Sequence, residues 1–323
     1  MGHGAWKKSR ITHYPLPIAH SPLPITHYPL PITMNAQLAQ LIVNGIAVGS
    51  IIALAAVGLT LTYGILRLSN FAHGDFLTLG AYFTWLLNTL GINIWLSMLL
   101  AGVGTVAVMV LSEKLLWSRM RSIRASSTTL IIMSIGLALF LRNAIILIWG
   151  GSNQNYNLPI TPALDIAGLK VPQNQLLVLF LAMLAILALH YMMQNTKIGK
   201  AMRAVADDLD LARVSGINVD SVILWTWIIA GTLTSLGGSM YGLITAVRPN
   251  MGWFLILPMF ASVILGGIGN PYGAIAAAFI IGIVQEVSTI IPGLGSQYKQ
   301  GVALFIMILV LLIRPKGLFK STI

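Results

Sequence analysis

Between Leu38 and Arg314 the chain is a succession of apolar runs, each close to the ~20 residues that a helix needs to cross the hydrocarbon of a bilayer. They fall at about 38–65, 74–92, 94–112, 129–150, 174–193, 221–247, 254–268, 272–290 and 301–314. The first is long enough to contain a break. Apolar residues make up 57% of the chain and charged residues 8%, whereas a soluble domain carries roughly a quarter charged residues. A surface so poor in charge requires a solvent of low dielectric, and in such a solvent every backbone polar group must be satisfied internally. The expected fold is therefore all-α, a polytopic transmembrane bundle of about 8–10 membrane segments. There is no cysteine, which excludes disulfides, thiolate metal sites and cysteine nucleophiles.

The net charge of +11 suggests nucleic acid until the charges are located. Lys7, Lys8 and Arg10 lie in an N-terminal tail, leaving 16 Lys/Arg against 8 Asp/Glu from Met34 onward. The basic residues cluster in the 113–124 loop (Lys114, Arg119, Arg121, Arg124), the 194–216 loop (Lys197, Lys200, Arg203, Arg213) and the C-terminus (Arg314, Lys316, Lys320). The alternate loops hold Lys170, Arg248 and Lys299 only. Even numbers of segments separate the three clusters, so all fall on one side, which the positive-inside rule makes cytoplasmic. The C-terminus is then cytoplasmic and the Met34 end periplasmic. The pattern is that of a bilayer as partner, with no nucleic acid. Residues 1–33 are different: ITHYPLPI occurs at 11–18 and again at 25–32. Proline at that density holds neither helix nor sheet, so this proline-rich repetitive tail is expected to be disordered and dispensable, with docking as the rival reading. The membrane-spanning body is 34–323.

Many of the 31 glycines lie inside apolar runs, where small residues let helix backbones approach closely. For Gly45 and Gly49 plain packing is the expectation. Two stretches combine glycine with other helix breakers: Asn70-Phe71-Ala72-His73-Gly74-Asp75, and Gly266-Gly267-Ile268-Gly269-Asn270-Pro271-Tyr272-Gly273. Paired interruptions of this kind, one in each half of a transporter, point to its pathway.

No catalytic constellation is present. Gly199-Lys200 lacks the rest of a P-loop, no HExxH occurs, and beyond the tail the histidines are His73 and His190. No cofactor or metal is expected on this chain. Residues 197–216 are too charged to span a membrane. Ile198, Met202, Val205, Leu209 and Ala212 recur at spacings of four and three, giving one apolar stripe on one helix. Arg203–Asp207 and Asp210–Arg213 are helical neighbours of opposite charge, and Gly216 is a natural C-terminal stop. Such a helix either rests on the lipid surface or seats in a cytoplasmic partner.

Asp210-Leu211-Ala212-Arg213-Val214-Ser215-Gly216 has the spacing of the EAA-x-x-x-G motif of ABC importer permeases, with Asp for Glu and Leu for the first Ala. With NFAHGD at 70–75, IGKAMRAVADD, VILGGIGNPYGA at 263–274 and RPKGLF at 314–319, the chain resembles the LivH-type permeases of branched-chain amino-acid importers over roughly Leu38 to Phe319. The resemblance implies transport of branched-chain or other neutral amino acids across a bacterial inner membrane, with no enzymatic activity in this chain. It also implies a heterodimeric pore with a second homologous permease, two cytoplasmic ATPase subunits that use the ATP, and a periplasmic amino-acid-binding protein. ATPase coupling is expected at Asp207, Asp208, Asp210, Ala212 and Gly216. The translocation pathway is expected at Asn70, His73, Gly74, Asp75, Arg142, Gly266, Gly267, Asn270 and Glu286.

Arg142 sits about 14 residues into its segment, roughly 20 Å deep at 1.5 Å per residue. It faces the bundle or water, or snorkels to the surface. Glu286 lies near the outer end of its helix. Asp75 and His73 border the first interruption, where local capping competes with substrate contact. The resemblance covers the acids at 75 and 286 but not Arg142. A sugar-type ABC permease shares the wider fold. An ion-coupled secondary transporter would need a mid-membrane acid, and none is evident from the sequence.

Overall fold

A computed structural model of the protein describes residues 34–159, 162–166, 168–293, 295–314 and 317–318. The repetitive tail and most of the C-terminal basic cluster lie outside them. Helices account for most of the described chain: α1 (Met34–Leu66), α2 (His73–Thr89), α3 (Ile94–Ser112), α4 (Ser127–Trp149), α5 (Gln173–Asn195), α6 (Lys197–Asp207), α7 (Leu209–Val214), α8 (Val219–Ile244), α9 (Met251–Gly266), α10 (Pro271–Val287) and α11 (Lys299–Ile313). A π-turn at Glu113–Trp117 carries α3 on to Ser122. Between α4 and α5 a small hairpin pairs Leu164–Ile166 with Leu169–Val171. All nine expected membrane segments are helices. Seven are long and apolar enough to cross a bilayer, while α2 and α9, at 17 and 16 residues, fall short.

α1 is the axis. It packs against α10, α8, α9 and α5, and from Ile51 to Val57 every residue is buried, as a helix that is hydrophobic all round must be. Although long enough to contain a break, it is continuous; it has no proline, and its glycines serve packing instead. A Cβ on Gly45 would meet the Cα of Ile283, and one on Gly49 the Cα of Phe279. Across the contact, a Cβ on Gly282 would overlap the Gly45 carbonyl and the Gly49 backbone. With no hydrophobic effect to press helices together in lipid, this close approach supplies dispersion contacts instead. Gly282→Val is therefore expected to cost ~1–3 kcal/mol of overpacking, read as earlier loss of monodisperse protein on heating in detergent. α4, α5 and α11 lie on the outside and present apolar residues such as Leu147, Phe180 and Leu312 outward.

The two ends of the bundle differ as the charge pattern requires. Arg67, which ends α1, donates from Nη2 to the Ala206 carbonyl in α6 at 3.2 Å. Leu318, past the last helix, donates to the Leu265 carbonyl at the end of α9 at 2.7 Å. The 194–216 segment and the chain after α11 thus share one face with the α1–α2 and α9–α10 connections.

Candidate functional site: a mid-membrane junction and a surface hairpin

The first interruption does not merely link two spanning helices. Arg67 has φ +53, a left-handed turn that stops α1 at the basic face, and the following residues run back along the helix. Asn70 Oδ1 accepts from Ala72 N at 3.1 Å and turns the chain into α2. His73, the first residue of α2, has its Nε2 3.0 Å from the Ala55 carbonyl, eleven residues before the end of α1. At 1.5 Å per residue α2 begins about 16 Å from that end, part-way through the membrane. His73 Nε2 also lies 2.9 Å from Thr234 Oγ1, whose own proton goes to the Ala230 carbonyl. Nε2 must therefore carry the imidazole proton. His73 Nδ1 and Asn70 Nδ2, both fully buried, have no partner among the described residues.

α9 begins at the same depth. Gly252 N donates to Thr78 Oγ1 at 3.0 Å, and the backbones of Gly74 and Gly252 touch, so that a Cβ on either would overlap the carbonyl of the other. Two helix N-termini therefore meet inside the membrane, each with unsatisfied N–H groups and a positive dipole end. At this junction stands a complete ion pair. Arg142 Nε is 3.1 Å from Asp75 Oδ1 and Nη2 is 3.2 Å from Oδ2, with Asp75 1% exposed and the arginine side chain 15%. The guanidinium carbon lies 4.7 Å from the centre of the Trp253 ring, a cation–π arrangement. Arg142 thus faces the bundle, and Asp75, placed by the sequence only at the border of the first interruption, is a mid-membrane acid. Paired, the two charges are tolerable in hydrocarbon. Removing one partner would strand the other, at a cost of about 3–5 kcal/mol.

The second interruption packs elsewhere. Gly267 and Gly269 have φ +90 and +86, Asn270 Oδ1 caps Gly273 N at 3.0 Å, and the backbones of Gly266 and Gly273 are in contact. Gly269 N donates to Thr60 Oγ1 at 3.0 Å. The two sequence interruptions therefore both lean on α1 but do not meet; the partner of the first is Met251–Gly252. Glu286 is apart from both. Lys299 Nζ binds it at 2.6 Å, and it lines a cavity of about 420 Å³ with Asn44, Asn174, Gln175 and Thr245 on the face opposite the basic one. Beside that cavity Tyr156, in the α4–α5 connection, donates to the Ser239 carbonyl at 3.1 Å, and burial raises its phenol pKa.

On the basic face, residues 197–216 form two helices rather than one. Asp208 is extended (φ −150, ψ 111), and its Oδ1 accepts from Asp210 N and Leu211 N, both at 2.9 Å. An aspartate that caps the second helix ends the first. The expected single stripe is split, and Met202, Val205 and Ala212 are buried within this chain. Ala212 is thus a packing residue of the hairpin rather than part of an outward surface. Neither predicted ion pair forms; among the described residues the pairs are Arg121–Glu113, Arg142–Asp75 and Lys299–Glu286, and Arg203 instead donates to the Met193 carbonyl. What α6, α7 and the turn between them expose includes Lys197, Lys200, Asp207, Asp208, Asp210 and Arg213, with two bare apolar side chains on α7, Leu211 and Val214. Gly216 has φ +85, the left-handed stop its position predicted.

Sequence reasoning missed Arg67, Thr78, Thr234, Gly252 and Trp253. The available signal was Asn250-Met251-Gly252, a breaker pair just before a tryptophan.

Comparison with known proteins bears on this architecture. Residues 41–311 match the family described as branched-chain amino acid transport system / permease component. The high-affinity branched-chain amino acid transport system permease protein LivH of Salmonella typhimurium is 31% identical over 301 residues, covering 85% of this chain and 93% of that protein. The corresponding protein BraD of Pseudomonas aeruginosa is 29% identical over 297 residues, covering 86% and 94%. Among solved structures, a metal-chelate type ABC transporter in an inward-facing conformation superposes with a TM-score of 0.50 at 17% identity, over 87% of this chain and 89% of that one; this likeness shows the fold. With most of its length matched by the family and by full-length relatives, this multi-pass membrane chain belongs to the permease components of branched-chain amino acid transport systems.

Proposed function

We propose that the chain is one of two homologous permeases in an ATP-driven importer that carries branched-chain or other neutral amino acids into the cytoplasm. On this reading the basic face is cytoplasmic, a periplasmic protein delivers the substrate, and separate ATPase subunits bind the α6–α7 hairpin. The observation that carries it is the Arg67–Ala206 hydrogen bond. It ties the hairpin to the segment that climbs, six residues later, to the buried start of α2. A force applied at Leu211 and Val214 has a short covalent and hydrogen-bonded route to the mid-membrane junction. Movement there alternates access between the two sides, and the chain itself breaks no bond. Coupling residues on the exposed side are Asp207, Asp208, Asp210 and Gly216, with Ala212 supporting them from within. Asn70, His73, Gly74, Asp75 and Arg142 form the junction, Gly266, Gly267 and Asn270 the second flexible turn, and Glu286 the outer cavity.

The test is reconstitution of the chain into liposomes with a second permease, ATPase subunits and a binding protein of the same family from the same organism. ATP-dependent accumulation of labelled leucine is expected. Accumulation of a pentose instead would support the sugar-importer alternative, and leucine uptake driven by an ion gradient without ATP would support a secondary transporter. Deleting residues 1–33 is expected to leave uptake unchanged, since the first membrane helix begins at Met34; loss of membrane assembly on truncation would show that the tail docks.

A further inference from the structure

We propose that the Asp75–Arg142 pair is the permease's own recognition site for the zwitterionic head group of an α-amino acid. The inference rests on the importer reading above and adds to it where in the membrane the substrate is held. The other two ion pairs among the described residues sit near helix ends: Arg121–Glu113 at the basic end of the extended α3, and Lys299–Glu286 at the far end of α10. Only in Asp75–Arg142 do both charges stand at the inner helix junction, Arg142 about 10 Å inside the outer end of α4.

Its coordination is incomplete in a manner that suits a ligand. An ionised carboxylate has about four lone-pair sites, yet Asp75 accepts from Arg142 alone among the described residues. Glu113, by contrast, also accepts from Trp227 Nε1 at 2.7 Å. Arg142 uses Nε and Nη2 and leaves Nη1 without a partner among the described residues. A buried pair kept only for structure needs its remaining donors and acceptors filled by the protein, and here they are open on both members. The guanidinium side lies nearer the bundle surface, since Trp253, which supports it, is 43% exposed; Asp75, 1% exposed, is reached only as α4 moves aside. α4, which brings Arg142, packs onto the rest of the bundle chiefly through α2.

The chemical match follows from these vacancies. A substrate ammonium takes the unused lone pairs of Asp75, and a substrate carboxylate takes the Nη1 side of the guanidinium. The zwitterion carries no net charge, so the site stays neutral through loading and release, and no uncompensated ion enters the hydrocarbon. An amine or a carboxylic acid alone would add one. The Trp253 face holds the guanidinium while Asp75 is shared.

The experiment uses the whole transporter complex in nanodiscs, with leucine binding measured by scintillation proximity in the absence of the binding protein. In the wild type, 3-methylbutylamine and 4-methylpentanoate, which lack the carboxylate and the amine respectively, are expected to compete at least tenfold more weakly than leucine. Asp75→Asn and Arg142→Gln are each expected to weaken binding at least tenfold. The double variant D75N/R142Q leaves no stranded charge. It is expected to assemble to wild-type levels yet bind leucine, and import it with the binding protein present, at least tenfold less well. Restoration of binding and uptake in the double variant would show that the pair only pins α4 to α2, and equal competition by either half-ligand would likewise overturn the site. Wild-type uptake separates the two claims. If the wild type imports leucine and the double variant does also, this site falls alone; if the wild type imports none, the importer reading falls and takes the site with it.

Discussion

Gly252→Leu and Gly74→Leu are each expected to abolish the folded permease. At both positions the added Cβ would overlap a carbonyl oxygen of the facing glycine, and a backbone group in a helix first turn cannot rotate away as a side chain can. Overpacking ordinarily costs ~1–3 kcal/mol. Here the only relief is separation of α2 from α9, which also breaks the Gly252–Thr78 hydrogen bond and moves Trp253 off Arg142, so the loss is expected at or above the top of that range. Gly102→Leu and Gly136→Leu are the controls, because a Cβ at either would meet nothing within 4 Å. Monodispersity of a fluorescent fusion after solubilisation measures the difference. Normal profiles for both junction variants would mean that the two N-termini do not meet as described.

Leu211→Asp with Val214→Asp is expected to uncouple the transporter while leaving the permease intact. Both side chains are exposed on α7, at 65% and 87%, so they contribute little to the fold of this chain. Fully burying a Leu or Val side chain against a partner is worth about 2 kcal/mol, which is ~30-fold in affinity per residue. The ATPase subunits should then fail to co-purify, and substrate-stimulated hydrolysis should be lost. Ala212→Glu should behave differently: its position is buried inside the hairpin, so the carboxylate would destabilise α6–α7 itself, visible as faster proteolysis at 207–216. Undiminished co-purification of the ATPases with the Leu211/Val214 variant would refute docking on this surface.

The bundle was legible in the sequence because length and apolarity set membrane helices with few competing signals. The positions of the breaks at 70–75 and 266–273 were legible as well, since Asn, Gly and Pro together leave a helix few options. Their partners were not. That Gly74 meets Gly252, and not Gly267, depends on the depth at which α2 starts, which is a property of the whole packing. For the same reason the depth of Arg142 could be counted from its segment, while its partner 67 residues away could not. The 197–216 segment misled in a more local way. Asp208 reads as one more polar residue on a helix face, and only the direction of its carboxylate, toward Asp210 N and Leu211 N, shows that it starts a second helix. Once the helix turns, a stripe drawn through Leu209 and Ala212 continues on a different axis.

The glycine contact between α1 and α10 limits how this protein can move. Backbones that interlock at Gly45, Gly49 and Gly282 have no side-chain layer between them to shear, so sliding one helix along the other by even a fraction of a turn drives main chain into main chain. α1 and α10 therefore behave as one stator. The freedom that alternate openings at the mid-membrane junction need falls to the lightly held outer helices, α4, which brings Arg142 to that junction, and α11, as a rotor about it.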